Sequence, residues 1–469
     1  MKIKSNDIVD ESKIEDLIGK TKDPSQEKIK LIVDKALKKK GLTLEESAFL
    51  INIKNRKDLE LIFKAARKIK EDIYGERLVL FAPLYISDFC VNDCEYCGFH
   101  RRNDSPRRKL TLDEVQAQTK ILVEMGHKRL LLEFGEHPEE NPIDYVVDVI
   151  KAIYSTKSKN GEIRRVNVNI AGTTVENYRK LKEAGIGTYQ LFQETYHKKS
   201  YAKFHNGPKA DYDRQIFAHD RAQEAGIDDI GMGVLFGLYD WKFEVLALLS
   251  HAKYLEKKWG VGPHTISVPR FQSANSVDFK PPHPVSEDEL LKIIAILRLS
   301  VPYTGMIIST RESIETRNKA FEIGISQTSA ASRVTVGGYE RKVESEKNKA
   351  GKNGCGQFST HDSRTLDQVV ADICEEGLLP SFCTACYRQG RTGEKFMELA
   401  KPGDIHNFCR PNAILTFHEY LIDYAKPETK KIGNKIIEKY IEQIEDQNIK
   451  QETLKRLKEL DNGKRDLYF

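Results

Sequence analysis

A closed barrel of eight parallel strands with helices outside is the fold this sequence predicts. Three observations point there. Eight short apolar runs are spread over residues 78–332, amphipathic helical patterns fill the gaps between them, and those patterns often close on glycine. Strand, helix, strand is the pattern of a parallel sheet with crossover helices, and eight units of even length favour a (β/α)8 barrel over an open doubly wound sheet.

In chain order, the strand-like runs are LVLFAPLY (78–85), RLLLEFGE (129–136), VNVNIAG (166–172), TYQLFQET (188–195), IGMGVLFGL (230–238), TISVPRFQ (265–272), MIISTRES (306–313) and ISQTSAAS (325–332). Between them, TLDEVQAQTKILVEMG opens with Thr111 and Glu114 at capping-box spacing and ends at Gly126, a residue suited to a left-handed C-cap. NPIDYVVDVIKAIY carries proline in its first turn. TVENYRKLKEAG, DYDRQIFAHDRAQEAG and VSEDELLKIIAILRLS repeat the amphipathic pattern.

The barrel is expected over residues 76–336. Residues 1–75 read as a charged, helical N-terminal flank, with SQEKIKLIVDKALKKK and LTLEESAFLINIKN as amphipathic helices. Residues 337–469 read as a mainly helical C-terminal domain. The Gly- and Lys-rich stretch 336–365 has no apolar periodicity and is expected to be a long loop leaving the barrel. The tail is a charged helix pair with Ile437, Tyr440, Ile441 and Ile444 on one face and no function assigned.

Composition excludes several function classes. Against 75 basic residues stand 70 acidic ones, a net charge of +5, so there is no electrostatic case for nucleic acid or an anionic membrane surface. The opening MKIKSNDIVDESKIEDL lacks a signal peptide's apolar core, and no apolar run approaches the roughly 20 residues of a membrane span. A soluble, cytoplasmic protein is expected. In that setting eight cysteines suggest metal binding or catalysis before disulfides.

Six of the eight fall into two groups. Cys90, Cys94 and Cys97 are spaced C-x3-C-x2-C; Cys383, Cys386 and Cys409 are spaced C-x2-C-x22-C. Cys374, in a helical pattern, reads as a buried apolar residue, and Cys355 as a loop cysteine without a role. A structural zinc site is closed by four ligands, whereas a [4Fe–4S] cube held by three thiolates keeps one iron open. The first group follows the first strand, at the mouth where barrel active sites lie.

That motif in that place resembles the radical S-adenosylmethionine superfamily. The resemblance implies a [4Fe–4S] cluster on Cys90, Cys94 and Cys97 whose open iron binds S-adenosylmethionine and whose electron generates a 5′-deoxyadenosyl radical. It implies that Tyr96 lies against the adenine. It implies that Gly135 and Glu136 of EFGE, the counterpart of a Gly-Gly-Glu motif with Phe134 in place of its first glycine, receive the cofactor's ammonium. Glu194 and Arg214 are implied to hold its ribose or amino group and its carboxylate.

YQLFQETYH and ISTRES resemble the aromatic amino acid lyase branch, which cleaves the Cα–Cβ bond of L-tyrosine to p-cresol and dehydroglycine. There Arg311 and Ser309 are implied to hold the substrate carboxylate, with Arg270 as a second candidate. The second cysteine group, behind such a barrel, resembles the [FeFe]-hydrogenase maturase branch of the tyrosine lyases. That resemblance spans essentially the whole chain. It implies an auxiliary iron–sulfur cluster on Cys383, Cys386 and Cys409 that turns dehydroglycine into CO and cyanide, and an extra iron on His264, bridged by a free cysteine. It implies transient hydrogenase-maturation partners and a low-potential electron donor. Spacing alone leaves zinc open at the second site, because His406 completes C-x2-C-x19-H-x2-C. Two other readings stay in view: a 2-iminoacetate synthase of the thiamine-biosynthesis type, and an iron–sulfur carrier without radical chemistry.

Overall fold

The computed structural model describes residues 3–159, 161–274, 277–340, 356–401 and 405–469. Eight parallel strands close into a barrel: β1 (Arg77–Ser87), β2 (Arg129–Phe134), β3 (Arg165–Asn169), β4 (Tyr189–Gln190), β5 (Ile230–Gly233), β6 (Thr265–Ser267), β7 (Gly305–Ile308) and β8 (Gln327–Ser329). Neighbours pair in sequence order, and β8 returns to β1, with Val79 opposite Gln327 and Phe81 opposite Ser329. Each expected run contains one strand. The Thr111 capping box is formed, and Gly126 closes that helix at φ 106°.

A ninth strand, β9 (Leu379–Ser381), also joins the sheet; the sequence reading did not anticipate it. Val79 pairs with Gln327 on one edge and with Ser381 on the other. The β9 edge is therefore the one that β2 takes over from Ala82 onward. β1 is eleven residues long and serves both partners in succession. β9 fills the gap beside β1 below the start of β2, so the residues after it lie at the N-terminal mouth of the barrel. Arg129, the first residue of β2, donates from Nη2 to the Cys383 carbonyl at 3.1 Å.

The barrel interior is layered. Along the inward face of β2, Arg129 lines a lower cavity, while Leu131 and Glu133 line an upper one. Phe81, Leu131 and Ile307 form a small buried apolar cluster of their own between the two.

The flank helices pack on the outside. Lys292, on the helix Glu287–Ser300, donates to the Ile51 and Ile53 carbonyls at 2.7 and 2.6 Å, holding the end of the helix Leu44–Ile51 against the barrel. The helix Trp241–Trp259, missing from the sequence reading, fills the β5–β6 crossover; the DYDRQIFAHDRAQEAG pattern splits into Tyr212–Ile216 and Ala218–Glu224. Cys374 is buried as expected, whereas Cys355 lies outside the described residues. Among the described residues no helix is long and apolar enough to cross a membrane.

The expected exit loop needs a correction. Its described end, residues 356–364, returns across the C-terminal mouth. The Ser359 N–H donates to the Ser273 carbonyl at 2.9 Å, and the His361 N–H donates to the Thr310 carbonyl at 2.8 Å. Asp362, fully buried, pairs with the buried Arg317 and accepts from Arg364 Nη2 at 2.7 Å. Burial pushes the Asp362 carboxyl up, but the Arg364 hydrogen bonds and the Arg317 charge outweigh it, so its pKa lies below the ordinary 3.8. Since the folded value is the lower one, this contribution is complete above about 3.8 and is lost as pH falls through the folded pKa. Asp362→Asn, which strands Arg317, is expected to destabilise the fold by about 3–5 kcal/mol in denaturant unfolding at pH 7. The difference from wild type should shrink below pH 4, on the order of the unperturbed carboxylate pKa.

Candidate active site and a second thiol cavity

The upper cavity, about 190 Å3, lies at the C-terminal mouth. Cys90, Cys94 and Cys97 line it together, with Tyr96 between them in sequence. The loop carrying them is pressed against the end of β2. The Gly135 N–H donates to the Ser87 carbonyl at 2.8 Å and the Val91 N–H to the Glu136 carbonyl at 2.7 Å. A Cβ on Gly135 would stand 2.9 Å from the Phe89 carbonyl carbon and 3.2 Å from Cys90 Cβ. Glycine there is a close-approach requirement that fixes the cysteine loop on the strand end.

A chain of polar side chains runs round the rim and joins most of the expected cofactor residues. Arg214 Nη2 donates to Glu136 Oε1 and to the Gly172 carbonyl at 2.6 and 2.5 Å. Asn92 Nδ2 donates to Glu136 Oε2 at 2.6 Å, and Asn92 Oδ1 accepts from the Lys209 N–H at 2.8 Å. Lys209 Nζ donates to Glu194 Oε1 at 2.8 Å. Burial lowers the Lys209 ammonium, but the Glu194 carboxylate and the Cys94 thiol outweigh it, so its pKa is raised. Glu194 adopts φ 69°, a left-handed backbone uncommon outside glycine, which turns its side chain at the strand end. Tyr96 hydrogen-bonds His205 Nε2 through its hydroxyl at 2.8 Å.

Two expected residues have other work. Arg214 does not line the cavity; it holds Glu136 from behind. Arg270 does not line it either: its guanidinium is committed to Glu312, with Nε 3.1 and 3.2 Å from the two carboxylate oxygens, and to the Val285 carbonyl at 3.1 Å. Arg311 and Ser309 do face the cavity. The Arg311 guanidinium lies over the Phe358 ring, 3.2 Å from its centroid, and burial lowers its pKa. Burial also pushes the Glu133 carboxyl up to about 8, against the charge of Arg311. Glu133, Lys209, Asn92, Gln357 and Phe358 escaped the sequence reading. The last two arrive on the returning segment: Tyr85 Oη donates to Gln357 Oε1 at 2.9 Å, and the Gly98 N–H donates to the Gln357 carbonyl at 3.1 Å.

The lower cavity, about 60 Å3, is lined by residues at strand starts and by the C-terminal cysteines. Arg77, Arg129, His264, Gly305 and Gln327 face Cys383, Cys386 and Cys409 there. Arg77 Nη2 donates to Cys409 Sγ at 3.4 Å. The His264 imidazole is half-buried, with Nδ1 3.4 Å from Asp229 Oδ1 and Nε2 hydrogen-bonded by the Tyr387 hydroxyl. His264 therefore does face the second cysteine group.

The thiol chemistry suits iron–sulfur clusters at both places. Burial pushes Cys97 up to about 12 and raises Cys94 and Cys383, so these thiols would need a metal to hold them as thiolates at neutral pH. Among the described residues no three His, Cys, Asp or Glu side chains converge as ligands of one metal ion. A cube spreads its thiolates over separate iron corners and does not need that convergence. The alternative zinc set includes His406, whose side chain lies outside the described residues.

The family model of the radical SAM superfamily matches residues 84–249, and that of the biotin and thiamin synthesis associated domain matches residues 267–379. A crystal structure of HydG, a maturase of the [FeFe]-hydrogenase, superposes with a TM-score of 0.94 at 54% identity, covering 99% of this chain and 100% of that one. The chain belongs to the HydG family. HydG from Carboxydothermus hydrogenoformans superposes at 0.84 with 39% identity, over 97% of this chain and 100% of that one. The 2-iminoacetate synthase of Escherichia coli (strain K12) is 30% identical over 74% of this chain and 89% of its own length. As a radical SAM enzyme of the HydG family, the chain takes a [4Fe–4S] cluster and S-adenosylmethionine.

Gly135→Ala is expected to displace the cysteine loop and empty the upper cluster site while the barrel stays folded. Iron and sulfide per anaerobically purified chain should fall by the upper cluster's share, with the circular dichroism spectrum unchanged.

Proposed function

We propose that the chain is a two-site tyrosine lyase of hydrogenase maturation. The upper site cleaves the Cα–Cβ bond of L-tyrosine to p-cresol and dehydroglycine. The lower site converts dehydroglycine to CO and cyanide for assembly of the [FeFe]-hydrogenase H-cluster. The observation that carries this reading is the placement of one three-cysteine group at each mouth of a single barrel, each beside its own cavity.

When bound on Cys90, Cys94 and Cys97, the cluster and S-adenosylmethionine supply a 5′-deoxyadenosyl radical. The chain's own residues place the reactants. Glu136, kept in orientation by Arg214 and Asn92, offers carboxylate oxygens to the cofactor's ammonium, and Glu194, ion-paired with Lys209, stands at the ribose side. Tyr96 packs toward the adenine. Arg311 and Ser309 receive the tyrosine carboxylate, Phe358 backs the guanidinium, and the segment 356–364 keeps water from the mouth. Arg270, ion-paired with Glu312 and absent from the cavity lining, is left as the second candidate behind Arg311.

At the lower mouth Cys383, Cys386 and Cys409 would hold an auxiliary iron–sulfur cluster, and His264 would hold an extra iron together with a free cysteine. Arg77 and Arg129 offset the negative charge of thiolates there. The iron carbonyl–cyanide unit is cargo, passed to other maturation proteins, and a low-potential donor supplies electrons. The 2-iminoacetate synthase reading is weaker, because the curated relative of that name aligns with 74% of this chain while the HydG structures extend over the lower site as well. A carrier would have no use for Arg311, Glu133 and Lys209 about one cavity.

The test is to measure p-cresol and CO from the same reaction. Cys383→Ala/Cys386→Ala is expected to keep making p-cresol and to lose CO and cyanide; CO in its normal ratio to p-cresol would refute the serial scheme. Arg311→Ala removes a charge-assisted partner of the substrate carboxylate, about 1.5–3 kcal/mol. The tyrosine concentration for half-maximal p-cresol formation should therefore rise roughly 10- to 150-fold, with the upper cluster's iron content unchanged.

A further inference from the structure

Tyr387 lines two cavities at once. One is the lower thiol cavity; the other is a cleft of about 290 Å3 outside it, also lined by Arg165, Gly187, Asp228, Asp229 and Arg388. The tyrosine follows Cys386 directly on the short helix Ala385–Arg388, so its side chain forms part of the partition between the two spaces.

Its two ends are held in different ways. The hydroxyl bonds His264 Nε2, while Asp229 sits at Nδ1 and favours the tautomer with the proton there. The ring lies against the Arg165 guanidinium. Arg165 is fully buried, donates from Nε to Asn167 Oδ1 at 2.8 Å and from Nη2 to Thr188 Oγ1 at 2.6 Å, and has no hydrogen-bond partner for Nη1. Gly187 makes room for it, since a Cβ there would collide with the guanidinium. Of the cleft's other cations, Arg388 is paired with Asp466 at 2.6 Å and Arg164 with Glu419 at 2.6 Å, and Lys182 also lines it. Asp228 and Asp229 stand at the same wall, with Asp229 Oδ2 3.8 Å from Arg165 Nη2. The cleft thus ends on a buried cation with a spare donor, covered by the one side chain that also occupies the histidine nitrogen.

We propose that Tyr387 is a gate for the lower site: seated on His264 Nε2 it closes the thiol cavity, and swung toward the cleft it frees that nitrogen for iron and opens a port over Arg165 for small α-amino carboxylates. The proposal rests on the reading of His264 as an iron ligand. Tyr387 is a positioning residue here; it competes with iron for one nitrogen and controls access. Arg165 Nη1 meets the carboxylate of the incoming amino acid. The exchange is a substitution at one lone pair: the Tyr387 O–H···Nε2 hydrogen bond is given up and a nitrogen–iron bond replaces it, with the proton staying on the phenol.

The test uses full-length protein, reconstituted anaerobically and loaded with ferrous iron and L-cysteine. Uptake of the extra iron is followed by iron count and electron paramagnetic resonance, and its loss by challenge with EDTA, a polycarboxylate chelator. His264→Ala should fail to hold the extra iron. Tyr387→Ala should release it to the chelator at least several-fold faster than wild type, because the side chain that closes the cavity is gone. Tyr387→Phe keeps the ring and the fold but drops the hydroxyl, so it should load faster than wild type and release at the wild-type rate. If both Tyr387 variants match wild type in loading and release while His264→Ala lacks the iron, the gate is overturned and the iron-ligand reading stands. If His264→Ala holds the extra iron as wild type does, that reading falls and takes the gate with it.

Discussion

The lower third of β1 is the constraint on which the rest of this molecule depends. Its backbone is shared: Val79 pairs with β8 on one edge and β9 on the other, and three residues later β2 replaces β9. A parallel barrel needs β1 only to pair with β2 and β8. The extra length at its start gives a distant segment a place in the sheet, and the segment brings Cys383 and Cys386 with it. The same strand ends at Ser87, whose carbonyl takes the Gly135 N–H and so anchors the upper cysteine loop. One strand therefore fixes the positions of both cysteine groups relative to a common axis.

The two mouths solve different electrostatic problems. Around the upper cavity, carboxylates and cations alternate in hydrogen-bonded order from Arg214 through Glu136 and Asn92 to Lys209 and Glu194. Buried charges survive only when paired in this way, and a connected chain holds each member's geometry more tightly than isolated pairs would. Around the lower cavity the balance is tipped: Arg77 and Arg129 face three thiols. Buried cations are costly unless paired, and thiolates are the anions this lining could offer them.

Much of the barrel was legible because buried parallel strands read as near-continuous apolar runs and crossover helices carry caps and glycine stops. The strand that sequence missed, Leu379–Ser381, is three residues with a proline in the middle, too short for any periodicity. The cysteines were legible because their spacing is a property of the chain. The partners of Arg214 and Arg270 were not, since Glu136 and Glu312 lie 78 and 42 residues away, and only the fold decides whether an arginine at a strand end is spent on a neighbour or free for a ligand. Lys209, Gln357 and Tyr387 carry no motif at all. They reach their cavities on loops and a short helix whose course is set by tertiary contacts. His264 was legible only as what the family resemblance implied, and the fold places it in the lower cavity with Cys383, Cys386 and Cys409.

The segment 356–364 is attached to the barrel by Asp362 and by backbone bonds to Ser273 and Thr310 before any ligand arrives. Ordering those residues costs about 1–2 kcal/mol each in backbone entropy, on the order of 10 kcal/mol together. Folding meets that cost through the buried ion pair, so substrate affinity is not diminished by it. The same segment sets Phe358 behind Arg311 at the upper mouth, so the stacking of that guanidinium is fixed by the fold.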